Sequence, residues 1–367
     1  MKTTQQLHDL GQSLWLDNIT RDMLTSGQLK RYIDEYSVTG QTSNPTIFDQ
    51  AIKNSGAYDE AIRHKANEGL TGEALFFELA LEDLTRAADL FRPAHQASAG
   101  VDGWVSLEVS PLLANNTRDT IRWARQLHER AARPNLFIKI PGTPEGVPAI
   151  EESIFNGVPI NVTLLFSREQ YVASAEAYMR GIERRLAAKL DPNVASVASL
   201  FVSRWDVAIK DDVPETMRNR LGIAVAMVTY KAYRDLLASP RWKRLADAGA
   251  KPQRMLWAST GTKDPNARDT LYIEALAAPD TINTMPEKTL LAFADHGHIG
   301  DLLPASGGFA EQVLDEFRRE GIDDGALAAR LQKEGAEAFT KSWGELLARI
   351  AEKSEQLTGI PAGTTSG

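Results

Sequence analysis

Cysteine is absent from this 367-residue chain. Disulfides, thiolate metal sites and cysteine nucleophiles are therefore excluded. No uninterrupted apolar run is long enough to cross a membrane, and no basic amino-terminal region leads into one. The chain is accordingly read as cytoplasmic. Cationic excess is also lacking: the net charge is −8, which argues against a nucleic-acid partner and means that an anionic substrate needs local cations. No GxGxxG or P-loop glycine pattern opens an early helix, which disfavours a nucleotide-binding open sheet. The six histidines are scattered, and the nearest pair, His296 and His298, sits in a glycine-containing loop that reads as surface. No metal is expected. Hydrophobic residues at 43% and charged residues at 25% are ordinary for a globular protein.

Against these absences stands one unusual stretch, Asn135-Leu-Phe-Ile-Lys-Ile-Pro-Gly142. It reads as a short buried strand ended by Pro-Gly. Leu136, Ile138 and Ile140 share one face; Phe137 and Lys139 share the other. Burying an unpaired ammonium costs several kcal/mol, so Lys139 must lose its charge, find a carboxylate, or sit at a cavity mouth. A snorkelling lysine at a strand end is the plain alternative. An amine without its proton is a nucleophile toward carbonyl carbon.

The rest of the chain alternates strand and helix patterns. Strands are expected up to Asp17, over 104–111 with strict alternation, over 136–140, over 159–166, over 194–204, over 254–259 and over 280–283. The stretch 38–46 is rich in hydroxyls and amides and reads either as a solvated loop or as a strand whose end lines a site. Helices are expected over 25–36, 58–90, 116–132 (capped by Asn116 or Thr117), 168–190 (capped by Ser167) and 214–237. The tail from about 306 to 357 reads as almost wholly helical, with Phe339, Trp343, Leu346, Leu347 and Ile350 as its packing stripe. Eight candidate strands, mostly followed by helices and with no Gly/Pro/Ser linker, imply a single (β/α)₈ TIM barrel spanning 1–367 with additional carboxyl-terminal helices.

In a barrel one strand face meets the outer helices and the other points inward. The aliphatic faces are assigned outward: Leu14/Leu16, Val105/Leu107/Val109, Ile138/Ile140, Ile160/Val162/Leu164, Leu200/Val202 and Leu256/Ala258. That leaves Asp17, Glu108, Lys139, Asn161 with Thr163, Ser199 with Phe201, and Trp257 with Ser259 facing inward, near the strand ends where barrel active sites lie. A lysine with two carboxylates and no metal set is a parts list for Schiff-base chemistry. Lys139 attacks a ketone, and Glu108 and Asp17 move protons. Asn161 and Thr163 can hold a water or substrate hydroxyls, and Arg204, Lys263 and Ser259 can bind a phosphate.

Four motifs then stand in order: Thr42-Ser-Asn-Pro-Thr46, Ile138-Lys-Ile-Pro141, Asn161-Val-Thr-Leu-Leu-Phe-Ser167 and Ser199-Leu-Phe-Val-Ser-Arg204. Together they resemble the transaldolase signatures, over a region from Asp17 to about Asn283. The resemblance implies reversible, cofactor-free transfer of a dihydroxyacetone unit between sugar phosphates in the non-oxidative pentose phosphate pathway. Sedoheptulose 7-phosphate and glyceraldehyde 3-phosphate become erythrose 4-phosphate and fructose 6-phosphate. It also implies roles. Lys139 is the Schiff-base lysine, and Glu108 works through a water that Thr163 also holds. Asp17 takes the proton of the C4 hydroxyl. Asn44 and Asn161 hold the three-carbon unit, with Thr42, Ser199 and Phe201 around it. Arg204 and Ser259 bind phosphate.

The chain departs from the better-known branch at one place. The second phosphate arginine, two residues after the serine, is here Gly261, and Lys263 is expected to supply the missing charge as a point charge rather than a fork. The alternative within the fold is a fructose 6-phosphate aldolase that releases free dihydroxyacetone. Such relatives typically carry Tyr where this chain has Phe201, and a phenyl ring cannot protonate a carbanion, so transfer is favoured. A metal-dependent lyase or isomerase and a non-catalytic barrel are the readings from other classes. Sugar phosphates are the expected partners, with no nucleic acid and no membrane, and the chain is expected to be a monomer or homodimer. The stretch 361–367 is expected to be disordered.

Overall fold

The computed structural model describes residues 2–359, so the expectation for 361–367 lies outside the described residues. Eight parallel strands close into a barrel in sequence order. They are β1 (Gln12–Asp17), β2 (Val38–Thr42), β3 (Trp104–Glu108), β4 (Leu136–Pro141), β5 (Ile160–Leu165), β6 (Ser196–Phe201), β7 (Gln253–Ala258) and β8 (Thr281–Met285). The ambiguous stretch 38–46 takes the strand reading and is not a solvated loop: β2 forms with residues 40–43 buried, and Asn44 then caps the helix Pro45–Asn54 by accepting from the Ile47 amide. Asn116 and Ser167 cap their helices as expected, the latter through a reciprocal capping box with Gln170. Among the described residues no helix is long and apolar enough to cross a membrane.

Several boundaries move. The expected helix 25–36 shortens to Gln28–Tyr36, with Gly27 at φ +79° parting it from an unexpected short helix, Arg21–Thr25. The segment 58–90 is two helices, Asp59–Asn67 and Gly72–Ala97. The expected strand 194–204 ends at Phe201, and Arg204 lies in the first turn of a short helix, Ser203–Ile209. Further helices, Gly146–Phe155, Pro240–Asp247, Leu271–Ala275 and Glu287–His296, fill connections that had no assignment.

The outward assignment of aliphatic faces describes β1, β3, β4 and β6, and fails in two places. Trp257 packs in the outer layer against the helices, whereas Leu256 and Ala258 belong to the inner cluster. Every β7 residue from Met255 to Ala258 is apolar and buried, so hydropathy alone cannot tell its two faces apart. On β5, Leu164 adopts φ +57° and joins the inner cluster, while Leu165 takes the outward place and pairs with Leu200. An αL residue inserts a half-step into the alternation, and a non-glycine residue in that region is uncommon.

The barrel is filled in layers. At its amino-terminal end a polar plug joins three strands and the loop before β3: Ser13 donates to Asp102 (2.7 Å), and Arg254 donates to Ser13 (2.7 Å) and to the Thr281 carbonyl (3.0 Å). Above it lie aromatic rings, with Trp104 stacked on Phe137 at 4.0 Å and Trp15 beside Phe137. Gly40 makes room for them, since a Cβ there would stand 2.5 Å from the Trp15 indole. Gly40→Ala is expected to destabilise the fold by about 2 kcal/mol or more, because a packed core accepts an added methyl only by shifting rings or backbone. Urea unfolding measures this, with Gly344→Ala as control. That exposed helical glycine has nothing within 4 Å of its would-be Cβ, so its replacement should stabilise by about 0.5–1 kcal/mol. The layer above the aromatics is polar, and it is the floor of the site.

Candidate active site

Register in the sheet sets the polar layer. Glu108 pairs with Lys139 across β3 and β4, Lys139 with Asn161 across β4 and β5, and Asp17 with Thr42 across β1 and β2. Lys139 Nζ lies 3.2 Å from Glu108 Oε2 and 3.2 Å from the Ser43 carbonyl, and both side chains are almost wholly buried. The amine is thus both paired and placed at a cavity rather than snorkelling to solvent. Burial raises the Glu108 carboxyl above its usual range, although the Lys139 ammonium opposes the shift. Asp17 is raised for the same reason, against the pull of Lys139, its Thr42 hydrogen bond, Lys263 and Arg204.

Hydroxyls and an amide fix the remaining groups. Ser199 donates to Asn161 Oδ1 (2.7 Å), and Asn161 Nδ2 donates to Ser106 Oγ (3.0 Å), so the Asn161 amide is oriented from both ends. Thr42 donates to Asp17 Oδ1 (2.8 Å), and its oxygen lies 2.6 Å from the Thr284 hydroxyl. With its own proton committed to Asp17, Thr42 accepts from Thr284. The Thr163 hydroxyl is buried with no hydrogen-bond partner in the structure.

A cavity of about 140 Å³ opens above this layer at the carboxyl-terminal ends of the strands. It is lined by Asp17, Thr42, Asn44, Lys139, Thr163, Ser199, Phe201, Arg204, Ser259 and Lys263 from the sequence-derived set, together with Ala258, Gly261, Thr284, Pro286 and Phe339. Glu108 and Asn161 lie beneath the wall, each bonded to a lining residue (Lys139 and Ser199). Ser259 reaches the cavity by a route that strand alternation does not describe. Trp257 faces outward, and φ +55° at Ser259 turns its side chain back beside Ala258, where its hydroxyl meets that of Ser203 at 2.9 Å. Arg204 projects from its helix with the Phe201 ring centroid at 5.0 Å, and burial lowers its pKa. Lys263 lines the same cavity as Gly261, where a Cβ would meet Pro286 at 3.2 Å. His296 is exposed and faces Asp269 and Asp295.

Thr284 and Pro286 follow from β8 and had no motif to mark them, and Phe339 comes from a helix whose apolar stripe reads as packing. Nothing in the local pattern singles these three out.

A barrel with lysine and two carboxyls at the strand ends admits many chemistries on fold alone. Comparison with known proteins decides among them. The family described as Transaldolase/Fructose-6-phosphate aldolase matches residues 14–350. The chain belongs to this family. It is 45% identical over 359 residues to a transaldolase of Saccharopolyspora erythraea, covering 96% of this chain and 98% of that protein. It is 46% identical over 362 residues to one of Parafrankia sp., covering 96% and 98%. A transaldolase of Thermobifida fusca is 44% identical over 358 residues, covering 95% and 97%. Likeness at this level over nearly the whole length makes the chain an enzyme with transaldolase function, and the aldolase alternative is not favoured.

Proposed function

We propose that this transaldolase, acting in the cytoplasm in the non-oxidative pentose phosphate pathway, transfers a dihydroxyacetone unit between sugar phosphates through a Schiff base on Lys139. The observation that carries the reading is the buried Lys139 amine 3.2 Å from a carboxyl that burial has made more basic than usual. Such a carboxylate is suited to take the ammonium proton and leave an amine able to attack a ketone. Addition of Nζ to C2 gives a carbinolamine, and Glu108 supplies the proton with which its hydroxyl leaves as water. The unpartnered Thr163 hydroxyl supports a shared role with Glu108 in holding that water.

Asp17 then removes the C4 hydroxyl proton. The C3–C4 bond breaks, its electron pair moves into the iminium to give an enamine, and an aldose phosphate leaves. Attack of the enamine on the acceptor aldehyde returns the proton from Asp17 to the new alkoxide, and hydrolysis frees Lys139. Asn44, Asn161, Thr42 and Ser199 surround the three-carbon unit in this scheme, with Phe201 as the apolar wall. Phe201 lacks an acidic proton, which favours an enamine that waits for an aldehyde over one quenched to free dihydroxyacetone. Arg204, Ser259 and Lys263 receive the phosphate. Lys263→Met is expected to raise the KM for fructose 6-phosphate about tenfold with a smaller change in kcat, as loss of one charge-assisted contact would.

Intact mass after borohydride reduction in the presence of fructose 6-phosphate tests the scheme. An adduct on wild type and none on Lys139→Arg is the expected result. The same adduct on both would move the nucleophile elsewhere, and no adduct on either folded protein would end the Schiff-base reading.

A further inference from the structure

The carboxyl-terminal helix Asp324–Thr358 lies across the barrel mouth and is fastened there by backbone chemistry. Gln332 donates to the carbonyls of Gly142 (3.0 Å) and Leu164 (2.9 Å), which stand just past β4 and near the end of β5. Three residues on, Gly335 permits close approach: a Cβ there would meet Leu164 at 2.9 Å and Arg204 Nη1 at 3.2 Å. One further turn brings Phe339 onto the same face. Its ring is buried, with its centroid 5.8 Å from the Arg204 guanidinium and 5.7 Å from Lys139 Nζ.

Arg204 is the other half of the observation. Among the described residues it has no hydrogen-bond acceptor and no ion-pair partner. Its contacts are aromatic, Phe201 at 5.0 Å from β6 and Phe339 at 5.8 Å from the carboxyl-terminal helix, within the attraction of the Asp17 and Glu108 carboxyls. Two rings fix a guanidinium while spending none of its N–H donors, and all of them stay free for an oxyanion. Phe339 and Arg204 also form part of the wall between the catalytic cavity and a neighbouring cavity of about 460 Å³.

We propose that Phe339 is a positioning residue that holds Arg204 toward the catalytic cavity, so that the carboxyl-terminal helix sets the preference for phosphorylated over neutral aldoses. This rests on Arg204 being the phosphate-binding residue. The selectivity to be measured is kcat/KM for glyceraldehyde 3-phosphate divided by kcat/KM for glyceraldehyde, with a common ketose donor.

Arg204→Met is expected to lower the ratio about a hundredfold, and Phe339→Leu about five- to tenfold, between the exposed and the fully desolvated size of one cation–π contact. Phe339→Tyr keeps the ring and should keep the ratio. In the Arg204→Met background Phe339→Leu should change it by less than about twofold, because the effect travels through Arg204. Gly335→Ala, whose methyl pushes on Arg204 from the same helix, should reproduce the drop and serves if Phe339→Leu does not fold. An unchanged ratio in the Phe339→Leu and Gly335→Ala variants, with Arg204→Met still lowering it, overturns the role of Phe339 alone. An equal drop in both backgrounds overturns it too. An unchanged ratio in Arg204→Met overturns the phosphate reading beneath it.

Discussion

Lys139→Arg is expected to lower kcat by at least about 10⁴-fold while leaving the barrel folded. Arginine keeps the positive charge that faces Glu108 across β3 and β4, so the buried pair survives in kind. What it cannot do is lose its proton near neutral pH, and a guanidinium is no nucleophile. Removing the nucleophile of a covalent enzyme typically costs several orders of magnitude, because every later step depends on the bond it forms. A methionine in place of Lys139 would abolish the amine as well, but it would leave Glu108 buried without its partner and cost about 3–5 kcal/mol of stability, confusing the readout. Steady-state kinetics with circular dichroism as the folding control measure the effect. A loss of only tenfold in the arginine variant would mean that covalent attachment does not lie on the main path.

Asp17→Asn should stop the same reaction at a different point. The amide that replaces the carboxylate cannot accept the C4 hydroxyl proton, and general-base removal commonly costs about 10²- to 10⁴-fold. Lys139 and Glu108 are untouched, so the ketose should still condense. Borohydride should therefore trap the whole ketose phosphate on the variant, whereas wild type, which cleaves, yields a three-carbon adduct. The mass difference separates a cleavage defect from a condensation defect in one measurement.

The pH dependence of cleavage should follow Asp17 as well. A base works only when ionised, and burial raises the Asp17 carboxyl above its usual range. The acid limb of single-turnover cleavage should therefore fall at higher pH than an ordinary aspartate would give, and it should vanish in Asp17→Asn. The acid limb of condensation should persist there, since the proposed scheme assigns it to Glu108. A three-carbon adduct forming on Asp17→Asn at the wild-type rate would assign the proton transfer to another group.

Much of this arrangement is legible in the sequence, and for a physical reason. A charge or amide placed at alternate positions in an otherwise aliphatic strand is costly inside a barrel unless it is used, so Asp17, Glu108, Lys139 and Asn161 announce a face as well as a site. β7 carried one too, Arg254 at its start, which shares the inward face with Leu256 and Ala258. Gln253 puts a polar group on the opposite face, so the two markers compete, and Trp257 packs outward beside Tyr230 while Leu256 falls inside. Positive φ at Leu164 and Ser259 lay beyond pattern reading, since neither residue type favours that conformation. The helix Gly146–Phe155 was hidden by Gly146 and Pro148 in its first turn, where proline is tolerated but looks like a loop. Phe339 was legible as part of an apolar stripe, yet its place in the cavity depends on how closely Gly335 lets the helix settle.

The polar plug and aromatic layer beneath the cavity have a consequence for traffic. With the barrel filled from below, a departing aldose and an arriving one must use the same doorway. In the proposed scheme the enamine between those two events stands alone with whatever water enters by that door. The fidelity of transfer then depends on how quickly the next sugar takes its turn, so the supply of acceptor is itself part of what keeps the three-carbon fragment from being lost.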